Sequence, residues 1–403
     1  MGVDVTPGVG GQTSRDWLVP ASAFAVNGAL YGSLLTRFPE IADRVSASET
    51  EFGMVLFASA IGGLLGSLVA PLLARAVGEW AATLLAGVGY ALLAVGVAWA
   101  PRLAVLGGAL LLLGLLDGAH DVVMNAFAVR IQQASGSTLM GRMHATWSLS
   151  LAGAGGLGTV AAGLRVPVAV HIGVAAATAL VLQLAVALRS RGRTPAGAPG
   201  PAAASTGPPR QRGIRVRLRH VLPVLGLAAL AASYVESPGQ EWTGLLLSRG
   251  FDAAPQVAAV APVLFAAGLV VSRLVLDAAV RRSGPATVAV FSGTTMIAAA
   301  AVGFVVTLAG GSAWWALAAV TVAGLGAGPV FPLLFGAADH LSIRHGIPAA
   351  RTASIVSALS RMGAISAPVV VGSLTDALGL GMIFAVMTAG AVLVLLALPR
   401  AVR

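Results

Sequence analysis

The chain has 403 residues, of which 57% are hydrophobic and only 10% are charged, and its mean hydropathy is +0.89. So few charges cannot cover the surface of a water-soluble protein of this length, and the composition therefore predicts an integral membrane protein. The formal net charge of +10 comes from 25 basic residues, all of them arginine. Most lie in short segments between apolar runs, which indicates membrane orientation and excludes a nucleic-acid partner.

Residues 1–16 are polar and glycine-rich, and we interpret them as a cytoplasmic tail before an uncleaved first span. A helix needs about 20 apolar residues to cross roughly 30 Å of hydrocarbon, and by that criterion the sequence predicts twelve membrane-spanning helices. They are 17–36, 51–74, 80–100, 103–129, 140–163 and 167–188, then 220–247, 256–280, 285–308, 313–337, 350–374 and 378–398. The predicted fold class is an all-α membrane protein with two pseudo-symmetric six-helix halves.

The segment 189–219 separates the halves. It is rich in proline, glycine and alanine and carries arginines at both ends, which predicts a flexible cytoplasmic linker between an N-terminal bundle at 17–188 and a C-terminal bundle at 220–398. With both chain ends in the cytoplasm, including a tail at 399–403, 18 of the 25 arginines lie in cytoplasmic segments and five in external ones. The positive-inside rule therefore predicts this orientation. An alternative role for the linker arginines is contact with anionic lipid headgroups.

A weak internal repeat relates the two halves. A shift of 206 residues places glycines and arginines of the first half on the same residue types in the second. The coinciding pairs are Gly62 with Gly268, Arg75 with Arg281, Gly78 with Gly284, and Gly118 with Gly324. Two parallel six-helix repeats are typical of transporters whose binding site lies between the halves, near the middle of the membrane.

The first predicted span carries Asn27 and Tyr31, which are four residues apart and therefore share one face of a helix. They either line a central cavity or form a hydrogen bond within the packed core.

The fourth predicted span places ionisable groups in the apolar run "LLDGAHDVVMN", residues 115–125. Asp117, Asp121 and Asn125 are spaced by four and form one stripe that we expect to face the interior of the bundle. An Asp at the centre of a membrane helix costs about 2.5–3.5 kcal/mol on insertion scales, so a pair indicates function. We predict that one carboxyl of this pair exchanges protons, with the other carboxyl and His120 tuning it. The alternative is a structural pair, Asp117 with His120 or an aspartate with Arg361.

The seventh predicted span contains Glu236 and Glu241 around the sequence "SPGQ". Pro238 removes a backbone donor and Gly239 loosens the chain, so we predict a helix break there that exposes polar groups to a cavity. Glu236 is a candidate for substrate binding. Glu241 lies eight residues from the external Arg249, so it either binds substrate or lies at the membrane interface.

The eleventh predicted span has Arg361 near its centre. A guanidinium stays charged and offers five donors. We expect it either to pair with Asp117 or Asp121 or to bind a carboxylate or phosphate of the solute.

The loops after the second span of each half resemble those of the major facilitator superfamily, whose pattern is a glycine-rich stretch followed by Asp, Arg and Gly. The second-half copy is "SRLVLDAAVRRSG", residues 272–284, and the first-half copy, "PLLARAVGEW", has its charges swapped. The resemblance covers essentially the whole chain and implies the superfamily's twelve-helix fold. It also implies gating roles for the charged residues of these segments, which are Arg75, Glu79, Arg273, Asp277 and Arg281; we interpret Arg273 and Asp277 as a gate or loop-packing pair.

Within that superfamily the chain resembles the fucose:proton symporter group and related bacterial inner-membrane permeases. The segments that show this resemblance are "DVVMNAF" in the fourth span, "GRMHATWSLSLAGA" at the start of the fifth and "ESPGQEW" in the seventh. The symporter's first-span acid has no counterpart, since Gly32 lies near the expected position. The resemblance implies a proton-coupling role for Asp121 and a cavity-facing position for His144 and Trp147. The predicted substrate-binding residues are Asn27, Tyr31, Asn125, His144, Trp147, Glu236, Glu241 and Arg361.

The sequence contains no metal-binding spacing, no phosphate loop and no Ser/His/Asp arrangement beyond chance, and it has no cysteine. It therefore predicts neither an enzyme nor a cofactor. Without a nucleotide-binding domain, we expect a monomeric secondary transporter in a bacterial inner membrane, moving a small molecule with protons. Two alternatives are efflux of hydrophobic compounds or metabolites by proton antiport and, with less support because no sizeable soluble domain is present, a non-transporting membrane sensor.

Overall fold

A computed structural model describes residues 17–135, 139–190, 215–345 and 349–402. The predicted N-terminal tail 1–16 lies outside these ranges, as do linker residues 191–214 and Arg403. Throughout the described ranges the regular structure is helical. The helices are α1 Leu18–Leu35, α2 Phe38–Arg44, α3 Glu49–Val77, α4 Glu79–Ala98, α5 Leu103–Ser135, α6 Met140–Gly163, α7 Val168–Ser190, α8 Arg215–Glu241, α9 Thr243–Leu245, α10 Pro255–Ser283, α11 Pro285–Leu308, α12 Ala313–Ala327, α13 Val330–His345, α14 Ala349–Leu378 and α15 Met382–Ala401.

Among the described residues, ten helical stretches are long and apolar enough to cross a membrane. The stretch Ala313–Arg344 counts as one of them and contains both α12 and α13, which are separated by a turn at residues 328 and 329. The two remaining predicted spans correspond to α6, with 24 residues, and α8, with 27 residues. Both are long enough to cross a bilayer.

The internal repeat is visible in the turns that follow the second membrane-spanning helix of each half, which is α3 in the first half and α10 in the second. Gly78 separates α3 from α4 with φ 83° and ψ 153°, and Gly284 separates α10 from α11 with φ 80° and ψ 156°. Side chains strongly disfavour this region of backbone space, which is essentially restricted to glycine. The same residue therefore makes the same turn 206 positions apart.

Glycines also set the closest helix contacts in each half. A Cβ on Gly118 of α5 would lie 2.0 Å from the carbonyl oxygen of Gly63 in α3. A Cβ on Gly324 of α12 would lie 2.2 Å from the carbonyl oxygen of Phe265 in α10. Only glycine allows these backbones to approach so closely.

The two halves contact each other mainly at the end of the molecule where α3 and α10 begin, which we call the closed end. There α3 packs on α14, where a Cβ on Gly53 would lie 2.4 Å from the carbonyl oxygen of Pro368, and α6 packs on α10 beside Val263. We call the opposite end, where α3 and α10 terminate, the open end. This arrangement leaves a cavity between the halves.

Candidate functional site

A cavity of about 440 Å³ lies between the halves. Most of its polar lining comes from the first half, while the second half contributes Glu241 of α8 together with Ala364 and Pro368 of α14. His144 and Ala364 line the cavity and are also exposed, so the cavity opens toward the open end. Its polar and aromatic lining comprises Phe24, Asn27, Tyr31, Phe38, Ser59, Tyr90, Asp117, Asp121, His144, Trp147 and Glu241.

A chain of hydrogen bonds connects three helices at this cavity. The Trp147 indole Nε1 donates to Asn27 Oδ1 at 2.8 Å, and Asn27 Nδ2 donates to Asp117 Oδ1 at 2.7 Å. The ring of Tyr31 stacks on that of Trp147 with a centroid distance of 6.5 Å. The chain therefore joins α6, α1 and α5, and the state of the Asp117 carboxyl can affect the orientation of an aromatic wall.

Asp121 lines the same cavity one helical turn further toward the open end. Asn125 donates through Nδ2 to Asp121 Oδ1 at 3.0 Å and to the Asp121 backbone oxygen at 2.8 Å. Asn125 is absent from the cavity lining, so the structure gives it a supporting position behind Asp121. His144 also faces the cavity, where it meets the ring of Phe24 edge-on at 5.5 Å.

His120 lies away from the cavity. Its side chain is 0% exposed and it packs near Gly87 of α4 and Gln183 of α7. Neither ring nitrogen has a hydrogen-bond partner among the described residues, so the expected alternative of a pair with Asp117 is wrong. Position 120 lies about 60° from 117 and about 100° from 121 around the helix, on the side that packs against α4 and α7, so its ring faces those helices and not the cavity.

Arg361 forms no ion pair with either aspartate, which corrects the other predicted alternative. Its Nη1 donates to Ser67 Oγ of α3 at 3.2 Å, across the interface between the halves. The guanidinium is outside the lining of the central cavity, although it lies within electrostatic range of Asp117 and Asp121. Its long side chain reaches the facing helix instead of the carboxylates.

Glu241 faces the central cavity and accepts a hydrogen bond from Ser237 Oγ at 2.7 Å. The predicted break at "SPGQ" is wrong, because α8 continues through Pro238 to Glu241 and the irregularity begins at Trp242. Gly239 serves close packing, since a Cβ there would lie 2.4 Å from ring carbons of Phe265.

Glu236 pairs with Arg273. Arg273 Nη2 donates to Glu236 Oε1 at 2.9 Å and its Nε donates to the Gly328 carbonyl oxygen at 3.0 Å. The predicted pairing of Arg273 with Asp277 is therefore wrong, because the long arginine side chain reaches across to the carboxylate on α8. Glu236 and Arg273 line a smaller cavity of about 170 Å³, which shares Trp147 with the central one.

The remaining predicted gating residues lie at the open end. Glu79, at the start of α4, pairs with Arg130 near the end of α5. Arg75, Arg281 and Asp277 are exposed. Thus the structure places an ion pair within the first half at this end.

The closed end contains a charged cluster that joins the two halves and that was not among the predicted site residues. Arg249, in a π-helical turn at Leu246–Gly250 of the second half, donates to Asp43 Oδ1 at 2.8 Å and to Glu49 Oε1 at 3.1 Å in the first half. Below this cluster, Phe52 packs edge-on against Trp242 at 5.4 Å. The signal in the sequence was the group of acidic residues flanking one short external loop.

Comparison with known proteins gives a family for this architecture. Residues 21–348 match the sequence model of the Major Facilitator Superfamily. An uncharacterised transporter of Sinorhizobium fredii is 26% identical over 391 residues, which are 95% of this chain and 97% of that protein. An uncharacterised MFS-type transporter of Yersinia pestis is 24% identical over 382 residues, which are 94% of this chain and 93% of that protein.

Solved structures share the fold. The nucleoside transporter NupG is similar with a TM-score of 0.72 at 12% identity, covering 96% of this chain and 99% of that one. The xylose transporter XylE from E. coli, in a partially occluded inward open conformation, is similar with a TM-score of 0.67 at 13% identity, covering 94% of this chain and 95% of that one.

Proposed function

The chain belongs to the major facilitator superfamily, and from this we propose that it moves a small organic solute across a bacterial inner membrane by alternating access coupled to protons. It is a multi-pass membrane transporter and not an enzyme. Beyond the family and the transporter class, we propose the proton as the coupling ion, the bacterial inner membrane as the location and a monomer as the working unit. Its principal support is the pair of carboxylates, Asp117 and Asp121, in the cavity between the halves.

The hydrogen-bond pattern around these carboxylates suits proton exchange. Asp117 is bonded by the neutral amide of Asn27, and Asp121 by the neutral amide of Asn125. A carboxylate bonded to a neutral donor can be protonated without leaving an unpaired positive charge behind. The proposed coupling residue is Asp121, in keeping with the fourth-span resemblance to fucose:proton symporters, and Asp117 transmits its state to the aromatic wall.

The proposed orientation has both chain ends in the cytoplasm, which makes the open end cytoplasmic. In this orientation the structure is inward-facing, and the Arg249 cluster with the aromatic residues below it forms the external gate. Transport then requires Arg249 to separate from Asp43 and Glu49 while the open end closes, which is the rocking movement expected of two packed halves around a fixed site.

The lining of the cavity favours a solute that is neutral and hydroxylated or cationic. Three carboxylates, Asp117, Asp121 and Glu241, face it, while Arg361 lies outside the lining. The stacked rings of Tyr31 and Trp147 provide an apolar face for a planar or ring-shaped solute. The fold neighbours that transport a nucleoside or xylose make hydroxylated rings the first compounds to test.

A ligand screen followed by a flux assay tests the proposal. Purified protein is heated with nucleosides, pentoses, hexoses and organic cations, and a compound that raises the unfolding temperature is then used in vesicles with a proton gradient. We expect gradient-driven uptake by the wild-type protein and by Asp376→Asn, which alters an exposed aspartate outside the cavity lining. Uptake that remains gradient-driven in Asp121→Asn would refute the coupling assignment.

A further inference from the structure

A second cavity, of about 460 Å³, lies at the closed end and is separate from the central one. It is formed where α1 meets α2, at the turn between α6 and α7, and at the first residue of α10. The lining contains three arginines and one carboxyl. Its residues are Arg37, Glu40, Arg44, Ala162, Arg165, Val166, Pro167, Val168, Ala169 and Pro255. We call it the arginine cavity.

Arg37 is the buried base of the arginine cavity, with 1% of its side chain exposed. Its Nη2 donates to the Val166 carbonyl oxygen at 2.6 Å and contacts Glu40 Oε2 at 2.5 Å. Its Nε and Nη1 are buried and have no hydrogen-bond partner among the described residues. Because buried donors are costly when unbonded, this guanidinium is suited to bind a further acceptor.

The other two arginines lie at the mouth of the cavity and are exposed. Arg44 has one nitrogen bonded to the Ala98 carbonyl oxygen. Arg165 has φ 55°, a left-handed conformation that costs a residue with a side chain about 1 kcal/mol or more. Such conformations cluster at functional sites, where the surrounding structure maintains them. Here the turn holds a guanidinium at a position that glycine would occupy without strain.

The charges of this region leave the arginine cavity positive. Asp43 and Glu49 are paired with Arg249 in the adjacent cluster. Glu40 is paired with Arg37, and burial raises the pKa of its carboxyl while Arg37 lowers it. Arg44 and Arg165 form no ion pair within the described residues. The lining therefore has three guanidiniums and one carboxyl, and two nitrogens of the buried guanidinium are unbonded among the described residues.

Two helix N-termini reinforce this positive character. Val168 and Ala169 of the lining are the first residues of α7, and Pro255 is the first residue of α10. The first turn of a helix leaves backbone N–H groups without intrahelical partners and carries a partial positive charge. A phosphate group bound between these termini is stabilised by both effects.

We propose that the arginine cavity binds a phosphate group, supplied either by free phosphate or by the headgroup of an anionic phospholipid. Arg37 provides the buried donors, Arg44 and Arg165 provide charge at the mouth, and the termini of α7 and α10 face the anion. The site is independent of the solute and of the direction of transport.

Thermal unfolding of the purified full-length chain tests this site and distinguishes the two sources. One arm compares potassium phosphate with potassium chloride at equal ionic strength, and the other compares micelles containing phosphatidylglycerol with micelles containing phosphatidylcholine. We expect a saturable rise of a few degrees in the unfolding temperature. A rise with both additives indicates a general phosphate site, and a rise in one arm alone identifies the source.

Substitutions at the mouth keep the test independent of folding. Arg165→Gly removes the guanidinium and relieves the backbone strain, so we expect equal or higher stability without anion and a much smaller anion-induced rise. Arg44→Gln should also reduce the rise, whereas Arg102→Gln, an exposed arginine at the same end outside the cavity, should retain it. The proposal is overturned if neither anion stabilises the wild type. It is equally overturned if both mouth variants respond as the wild type does, or if Arg102→Gln loses the response.

Discussion

The two halves share a fold, but the fourth span of the first half and α8 of the second contain half-buried carboxylates with different partners. In the first half, Asp117 and Asp121 are bonded by the neutral amides of Asn27 and Asn125. In the second half, Glu236 is paired with the charged guanidinium of Arg273. A guanidinium partner holds a carboxylate in its charged form, while an amide partner tolerates either form. The comparison separates the two aspartates, whose partners suit proton exchange, from Glu236, whose charge is held by Arg273. Glu241 of the second half, bonded by the neutral hydroxyl of Ser237 in the central cavity, is like the aspartates.

The largest expected effect is on proton coupling and comes from a substitution in the first half. Asp121→Asn should lower accumulation of a ligand found in the screen to the level reached without a proton gradient, because an amide at this position cannot take up and release a proton. Exchange of labelled for unlabelled ligand without a gradient should persist. Glu236→Gln is the matched variant in the second half and should keep its coupling to protons. If Glu236→Gln abolishes coupling and Asp121→Asn does not, the assignment of roles to these two sites is wrong.

A second prediction addresses what the halves have in common. Gly118→Ala and Gly324→Ala each force a methyl group onto a facing backbone, so both should destabilise the protein, by about 1–3 kcal/mol. The control is Gly153→Ala, where a Cβ meets nothing within 4 Å. The measurement is the unfolding temperature in detergent. A large effect at only one of the two sites would show that the two glycine contacts do not contribute equally to stability.

Removing the carboxylate from the second-half ion pair should have a smaller effect. Glu236→Gln leaves the Arg273 guanidinium without its ionic partner and should destabilise the protein by about 1–2 kcal/mol, a modest value because that side chain is 38% exposed. The double variant with Arg273→Gln should recover part of the loss. If the double variant is less stable than Glu236→Gln, the charge pair is not what stabilises this contact.

The smallest effect is expected at Arg361. Because it bonds to Ser67 and lies outside the cavity lining, Arg361→Lys should change the affinity for a neutral or cationic ligand by no more than about threefold, the loss of less than one hydrogen bond. Isothermal titration of the purified variant measures this. A much larger loss would place Arg361 in the binding site and would favour an anionic solute.

Several features followed from the sequence because they depend on local chemistry or on solvent. Hydropathy and length defined the helices, since lipid requires each spanning segment to satisfy its own backbone groups. The shift of 206 residues identified Gly78 and Gly284, whose backbone angles agree closely. The spacing of Asp117 and Asp121 placed them on one helix face, and both line the central cavity.

Tertiary structure alone decided which side chains meet. Arg273 has Asp277 one helical turn away, yet it pairs with Glu236 on another helix, because a long side chain samples every neighbour within its reach. Pro238 and Gly239 suggested a break, but the helix continues and Gly239 makes space for Phe265. His120 belongs to the same short segment as the aspartates but faces α4 and α7.

The sequence by itself determined the membrane setting, the helical class, the repeat and the polar stripe of the fourth span, because each is a property of one segment and its solvent. The structure decided the partners of every buried charge, the position of the cavity and the existence of the arginine cavity. Those features depend on distances between segments far apart in the chain, because a hydrogen bond forms only when donor and acceptor lie within about 3 Å of each other in the packed molecule.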